Sequence, residues 1–153
     1  MQYDFIIIGA GSAGCVLANR LSEDASIKVL LIEAGGKPNT MVNIPGGYGT
    51  LHRSKFDWSF YTEPQQYVDN RRLYIPRGKV LGGCSSTNAM AYVRGNAADF
   101  NGWSAAGNKG WSYDEILPYF KKSEHHEKFE NSFHNKNGLL NVSFAKYPSK
   151  LTG

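Results

Sequence analysis

The feature that most constrains the fold is the turn Gly9-Ala10-Gly11-Ser12-Ala13-Gly14, because of what stands on either side of it. Before it runs Phe5-Ile6-Ile7-Ile8, a short apolar, β-branched run expected to form a strand buried on both faces. After it, Ala13, Val16, Leu17 and Leu21 recur at helical spacing, opposite Asn19, Arg20, Ser22 and Glu23. The turn Asp24-Ala25-Ser26 then leads into Lys28-Val29-Leu30-Leu31-Ile32, read as a second buried strand that ends in Glu33. Strand, glycine turn, helix and strand make a βαβ unit with the dinucleotide fingerprint in its proper context.

Each position in that fingerprint has a physical task. Gly9 permits the tight turn, Gly11 lets backbone approach a pyrophosphate, and Gly14 lets helix and strand pack closely. The free N–H groups and positive dipole end of the helix then favour phosphate. Glu33 stands nineteen residues after Gly14, where a carboxylate can accept ribose hydroxyl protons and repels a 2′-phosphate. The expected ligand is therefore an adenine dinucleotide, FAD or NAD, with NADP disfavoured.

A chain of 153 residues is the size of one domain, and 41% hydrophobic with 20% charged residues describes a soluble globular protein. The net charge of +4 is mild, and the lysines of the second half are scattered, so no nucleic-acid face is expected. Met1-Gln2-Tyr3-Asp4 lacks a basic leader and no apolar run approaches a membrane span, so neither signal nor anchor is expected. Cys15 and Cys84 make neither a disulfide framework nor a metal spacing, which fits a reducing, cytoplasmic setting. Cys15, inside the first helix, is expected to be a small buried hydrophobe.

A doubly wound sheet continues with helix–strand alternation, and this chain does not. Residues 34–76 are rich in Gly, Pro, Asn and aromatics and read as a long functional loop region, with Leu73-Tyr74-Ile75 a short extended piece stopped by Pro76. In residues 77–95, Gly82-Gly83 permits close approach of backbone to a ligand, and Ser85 or Ser86 can cap a short helix through Tyr92. Asn88 offers a donor and an acceptor that suit the heteroatom edge of a flavin. On its residues alone this segment reads equally as ligand-contacting or as a structural turn. Ser112-Tyr113-Asp114-Glu115 is a capping box before a helix through Lys122, perturbed by Pro118, and its aromatic stripe reads as packing. Asn137-Gly138 followed by Leu139–Phe144 reads as a turn and a strand. His125, His126 and His134 lie among Glu124, Glu127 and Glu130 without any zinc spacing, so a solvated surface and no metal are expected. No G-x-S-x-G elbow argues for a hydrolase.

A single βαβ unit gives two parallel strands, fewer than a covered parallel sheet contains. These strands need neighbours from another chain or from further sequence.

The ordered residues resemble the N-terminal part of the glucose–methanol–choline (GMC) family of FAD-dependent oxidoreductases, nearest its choline-dehydrogenase-like branch. The match runs from Asp4–Gly14 through Leu31-Ile32-Glu33-Ala34-Gly35, Asp57-Trp58, Thr62-Glu63-Pro64-Gln65 and Pro76–Gly83 to Asn88. It continues through Tyr92-Val93-Arg94-Gly95, Asp99, Trp103, Gly110–Tyr113, Pro118–Lys122 and Glu124. The resemblance implies an α/β fold: a Rossmann-like FAD-binding βαβ unit at 4–33, a cofactor-covering loop region at 34–76, a flavin-contacting segment at 77–95 and a helical and strand extension at 96–150. It implies FAD pyrophosphate at Gly9, Gly11, Ser12, Ala13 and Gly14, and the adenosine end at Glu33 and Ala34. Val80, Gly83 and Asn88-Ala89-Met90-Ala91 fall to the flavin end, with Trp58 near the cofactor.

The activity so implied is oxidation of an alcohol, a histidine taking the hydroxyl proton while hydride passes to the flavin. That histidine, and most of the substrate domain, belong to the family's C-terminal part, beyond this sequence. None of His52, His125, His126 or His134 matches its position, so no catalytic residue is assigned and the chain alone is expected to be inactive. Thr87 stands where some relatives carry the histidine that attaches FAD covalently, so non-covalent FAD is expected. A lyase of the same family, or a nucleotide-binding remnant without catalysis, are the alternatives.

Overall fold

Phe5–Ile8 (β1) and Val29–Ile32 (β2) pair in parallel, with Phe5 opposite Val29 and Ile8 opposite Ile32. The helix Ser12–Leu21 (α1) joins them, as the fingerprint requires. The computed structural model describes residues 2–145, which divide into two compact units between Ala91 and Tyr92. That boundary falls inside the 77–95 segment, and the end of the 96–150 extension lies outside the described residues.

The expected burial of β1 on both faces is not met. Ile7 is buried, whereas Phe5, Ile6 and Ile8 are exposed, as are Val16 and Leu17 on α1. Parallel strands are covered on both faces only when further strands and helices flank them, and among the described residues this sheet has two strands. Cys15 is likewise exposed rather than buried; its Sγ donates to the Ala10 carbonyl at 3.2 Å.

Residues 34–76 carry more structure than a loop reading allows. The Asn39 side chain accepts from the Met41 N–H at 3.1 Å and starts a 3-10 turn, Thr40–Asn43. A second turn at Pro45–Gly47 runs into the short helix Tyr48–Leu51 (α2). Phe60–Tyr61 (β3) pairs antiparallel with Tyr74–Ile75 (β4), which accounts for the extended piece before Pro76. Leu51, Phe56 and Val80 form the core here, with Met41 and Val42 packed on it. Removing such a side chain from water contributes about 1.5–3 kcal/mol each.

The helix expected through Tyr92 does not form. A 3-10 turn covers Gly83–Ser86, and Met90 then takes φ +58° while the Asn88 side chain accepts from the Met90 N–H at 2.8 Å. That local side-chain bond offers the backbone an alternative to helix.

In the unit from Tyr92 onward, Asn96 caps a helix that the sequence reading did not anticipate, Ala97–Ala105 (α3), accepting from the Ala98 N–H at 2.9 Å. The helix Tyr113–Ser123 (α4) begins on the expected capping box, with Ser112 and Glu115 bonded reciprocally, and runs unbroken across Pro118. Phe100 is buried between the two helices, edge-on to Trp103 and Phe120. Glu124–His126 (β5) pairs in parallel with Leu140–Val142 (β6), shorter than the strand expected to Phe144. Gly138 makes the approach possible, since a Cβ there would lie 2.3 Å from the Ser123 carbonyl.

The expectation of a solvated surface around the histidines holds for His125, Glu127 and Glu130, which are exposed, and fails for Glu124 and His126. Glu124 is fully buried and His126 nearly so. Arg94 Nη2 donates to Glu124 Oε2 at 2.7 Å, His134 Nδ1 lies 2.9 Å from Oε1, and the Asn135 N–H donates to Oε2 at 3.1 Å. Partners from residues 94 and 134 fold over a carboxylate whose own neighbours in sequence are polar.

Candidate functional site

The fingerprint turn forms one wall of a cleft of about 750 Å³, within the ~300–1,000 Å³ range of ligand sites. Gly9 leaves β1 at φ +96°, a conformation that side chains rarely tolerate. A Cβ on Gly14 would lie 1.9 Å from the Gly9 carbonyl oxygen, so glycine alone lets α1 pack this closely on the turn. Gly11 is open: a Cβ there would meet nothing within 4 Å. No side chain caps α1, so its first amides and its positive end remain available to an anion.

Glu33 is fixed by backbone. Its Oε2 accepts from the Ala10 N–H and its Oε1 from the Gly35 N–H, both at 2.7 Å. Each oxygen keeps further lone-pair capacity for a ribose hydroxyl.

The segment after Pro76 is stitched onto this turn. The Gly82 N–H donates to the Ala10 carbonyl at 2.8 Å, the Leu81 N–H to the Gly36 carbonyl at 3.0 Å, and the Ser12 and Ser85 hydroxyls lie 2.5 Å apart. Gly83, buried and at φ +54°, sits where a Cβ would come within 2.9 Å of Gly11 Cα. Two glycine-bearing segments seventy residues apart in the chain thus meet backbone to backbone.

Part of the lining is aromatic. Trp58 and Phe60 stack with ring planes 9° apart and centroids at 5.8 Å, and Lys79 Nζ lies 4.5 Å from the Trp58 ring centroid. Asp57, next to Trp58, is buried. Burial pushes its carboxyl upward, but hydrogen bonds from the Tyr74 hydroxyl, the Arg53, Arg77 and Ser59 N–H groups outweigh that and hold it well below the usual carboxylate range.

Of the residues singled out from the sequence, Gly9, Gly11, Ser12, Glu33, Ala34, Trp58 and Gly83 line the cleft. Ala13 lies exposed in the first turn of α1, and Gly14 is buried beneath it. Val80 is fully buried in the core, so its side chain is not part of the cleft surface. Asn88, Ala89, Met90 and Ala91 are exposed and stand outside the lining. Ile8, Ile32, Phe60, Arg77, Gly78 and Cys84 line it without having been singled out. Two of these had a signal: Ile8 and Ile32 end parallel strands, where α/β ligands bind.

The donor set fits an adenine dinucleotide: an uncapped helix start and open glycine for the pyrophosphate, a braced carboxylate for ribose, and aromatic surface for a planar ring. No histidine lines the cleft among the described residues. Nor does any group of His, Cys, Asp and Glu among them suit a metal ion, and no described helix is long and apolar enough to cross a membrane.

Comparison with known proteins agrees with this geometry. The GMC oxidoreductase family pattern matches residues 3–150. The chain is 49% identical to alcohol dehydrogenase (acceptor) of Pseudomonas putida, over 95% of this chain and 27% of that protein. It is 46% identical to mitochondrial choline dehydrogenase of Mus musculus, over 95% of this chain and 26% of that one. An FAD-dependent oxidoreductase from Chaetomium thermophilum superposes with TM-score 0.83 at 35% identity, over 98% of this chain and 28% of that chain. The chain therefore spans about a quarter of the length of the curated relatives it matches.

Proposed function

This chain belongs to the GMC oxidoreductase family, and we propose that it is the FAD-binding portion of an enzyme that oxidises a CH–OH group to an aldehyde or ketone. The observation that carries the reading is the meeting of the Gly9–Gly14 turn with Gly83 and Ser85 over an open cleft braced by Glu33. In this reading the amides that open α1 and the Ser12 hydroxyl hold the pyrophosphate, and Glu33 with Ala34 holds the adenosine end. The segment carrying Val80, Gly83 and Asn88–Ala91 serves the flavin end, with Trp58 beside it. Bound FAD supplies the hydride acceptor.

The chain's own residues bind and orient. Gly11 and Gly83 keep the backbone low enough for phosphate oxygens to reach N–H donors. Val80 anchors the flavin-end segment by filling the core rather than by touching ligand. In this reading the proton acceptor belongs to the part of the enzyme these residues do not span, the chain covering about a quarter of its relatives. Thr87, buried and bearing a hydroxyl, supports FAD held without a covalent bond. The free thiols of Cys15 and Cys84 support a reducing, cytoplasmic setting.

Titration of the full chain with FAD, followed by flavin absorbance and fluorescence, tests the reading. Saturable binding displaced by ADP and abolished in Gly11→Val is expected, with all FAD released on denaturation. Choline or a simple primary alcohol is expected to leave the bound flavin oxidised. Absence of binding, or equal binding by Gly11→Val, overturns the proposal.

A further inference from the structure

Asp57 collects more hydrogen bonds than any other side chain near the cleft, and they come from four residues, Arg53, Ser59, Tyr74 and Arg77. Oδ2 accepts from the Arg53 N–H at 2.8 Å, the Ser59 hydroxyl at 3.1 Å and the Tyr74 hydroxyl. Oδ1 accepts from the Ser59 N–H at 3.1 Å and the Arg77 N–H at 2.9 Å. In the chain Ser59 stands between Trp58 and Phe60, whose rings stack, and Arg77 with Gly78 forms the neighbouring edge of the cleft, Gly78 bridged to Asp57 in antiparallel. The Trp58 N–H donates to the Arg77 carbonyl at 2.9 Å, so the two edges are tied by backbone as well.

Two of the donors are held in an unusual conformation. Arg53 and Ser59 have φ of +54° and +52°, a region that costs a non-glycine residue roughly 1–2 kcal/mol. A buried carboxylate is itself unfavourable unless its oxygens are satisfied. The two demands meet in one arrangement: the left-handed turns point N–H groups at Asp57, and Asp57 recovers its lost hydration only while they do. The backbone on both sides of Ser59, and with it the direction of both rings, is thereby specified by one side chain.

We propose that Asp57 is a positioning residue for cofactor binding: its carboxylate holds the Trp58–Phe60 wall against the Arg77–Gly78 edge, so that the rings present their faces to the planar part of the dinucleotide. This rests on the FAD reading above and extends it from which residues bind to what sets their geometry. Asp57 itself touches no ligand in this scheme. It acts through Trp58 and Phe60.

The test is a double-mutant cycle read as FAD affinity in the full chain. Asp57→Asn keeps the shape but turns an NH2 toward donors on one side. It is expected to weaken FAD binding about tenfold in the parent and less than about twofold in a Trp58→Ala/Phe60→Ala background, because effects that share a pathway are non-additive. Tyr74→Phe removes one donor from the same carboxylate and is expected to weaken binding about threefold, with the same loss of effect in that background. Circular dichroism reports whether Asp57→Asn folds; if it does not, Tyr74→Phe decides. Undiminished affinity in the variant that folds, or an equal loss with and without the rings, overturns the proposal. A parent chain that binds no FAD overturns the functional reading and this inference with it, whereas a parent that binds alongside an indifferent variant overturns this inference alone.

Discussion

Among the described residues each unit buries one carboxylate, and the two are satisfied in opposite ways. Asp57 in the first unit is surrounded by neutral donors: backbone N–H groups of Arg53, Ser59 and Arg77 and the hydroxyls of Ser59 and Tyr74. Glu124 in the second is met by a guanidinium and an imidazole, Arg94 and His134, with one N–H from Asn135. Neutral dipoles must each be aimed, so Asp57 specifies the path of residues 53–59 and 74–77 around a cleft. The Arg94 charge acts with less directional demand and carries its own desolvation penalty, so Glu124 ties a strand and loop together and depends on its partners remaining present. The first arrangement suits a site whose walls must be placed; the second suits a brace.

If that contrast is right, removing charge should hurt the second unit most. Glu124→Gln leaves Arg94 nearly buried without its counter-ion, its side chain only 11% exposed, and is expected to destabilise the chain by about 3–5 kcal/mol. Urea denaturation with hydrogen exchange across Glu124–His126 and Leu140–Val142 checks it. Asp57→Asn loses charge from bonds whose donors are neutral, and a smaller loss of roughly 1.5–3 kcal/mol is expected by the same denaturation.

Acidification probes both at once. Burial pushes each carboxyl up, but hydrogen bonds outweigh it: Tyr74, Arg53, Arg77 and Ser59 at Asp57; His134 and Asn135 at Glu124, aided by the Arg94 charge. Both groups therefore sit below their ordinary values of 3.8 and 4.5 when folded. A depressed carboxyl contributes stability in full above its unfolded value and loses it as pH falls through the folded one. The urea midpoint is expected to hold between pH 7 and 5 and to fall below pH 4.5, less steeply in Asp57→Asn or Glu124→Gln than in the parent. The smallest effect belongs to Ser59→Ala, which takes one hydroxyl from Asp57 and should cost about 1 kcal/mol.

The same contrast explains what was legible in the sequence. Gly9, Gly11, Gly14 and Glu33 lie within one βαβ unit, so their spacing carried their local geometry. The Ser112–Glu115 capping box was legible for the same reason. Asp57 draws its donors from residues 53 to 77, and Glu124 from residues 94 to 135; no local pattern announces either. Glu124 therefore looked solvated among polar neighbours, and its burial came as a correction. The helix expected through Tyr92 failed because a single side-chain bond, from the Met90 N–H to the Asn88 side chain, competed with helix hydrogen bonding. α3 was overlooked although Asn96, an N-cap residue, and Asp99 in its first turn were there to be read. Cys15 and the β1 residues were misjudged on burial because a parallel sheet's cover comes from elements outside the unit that names it.

The central claim is that the cleft of the first unit is an FAD site. Hydrogen exchange of the full chain with and without saturating FAD tests it most directly. Protection is expected at the amides of 9–15 and of 78–86, where the two glycine-bearing segments meet. Unchanged exchange at 9–15 while FAD is bound would contradict it.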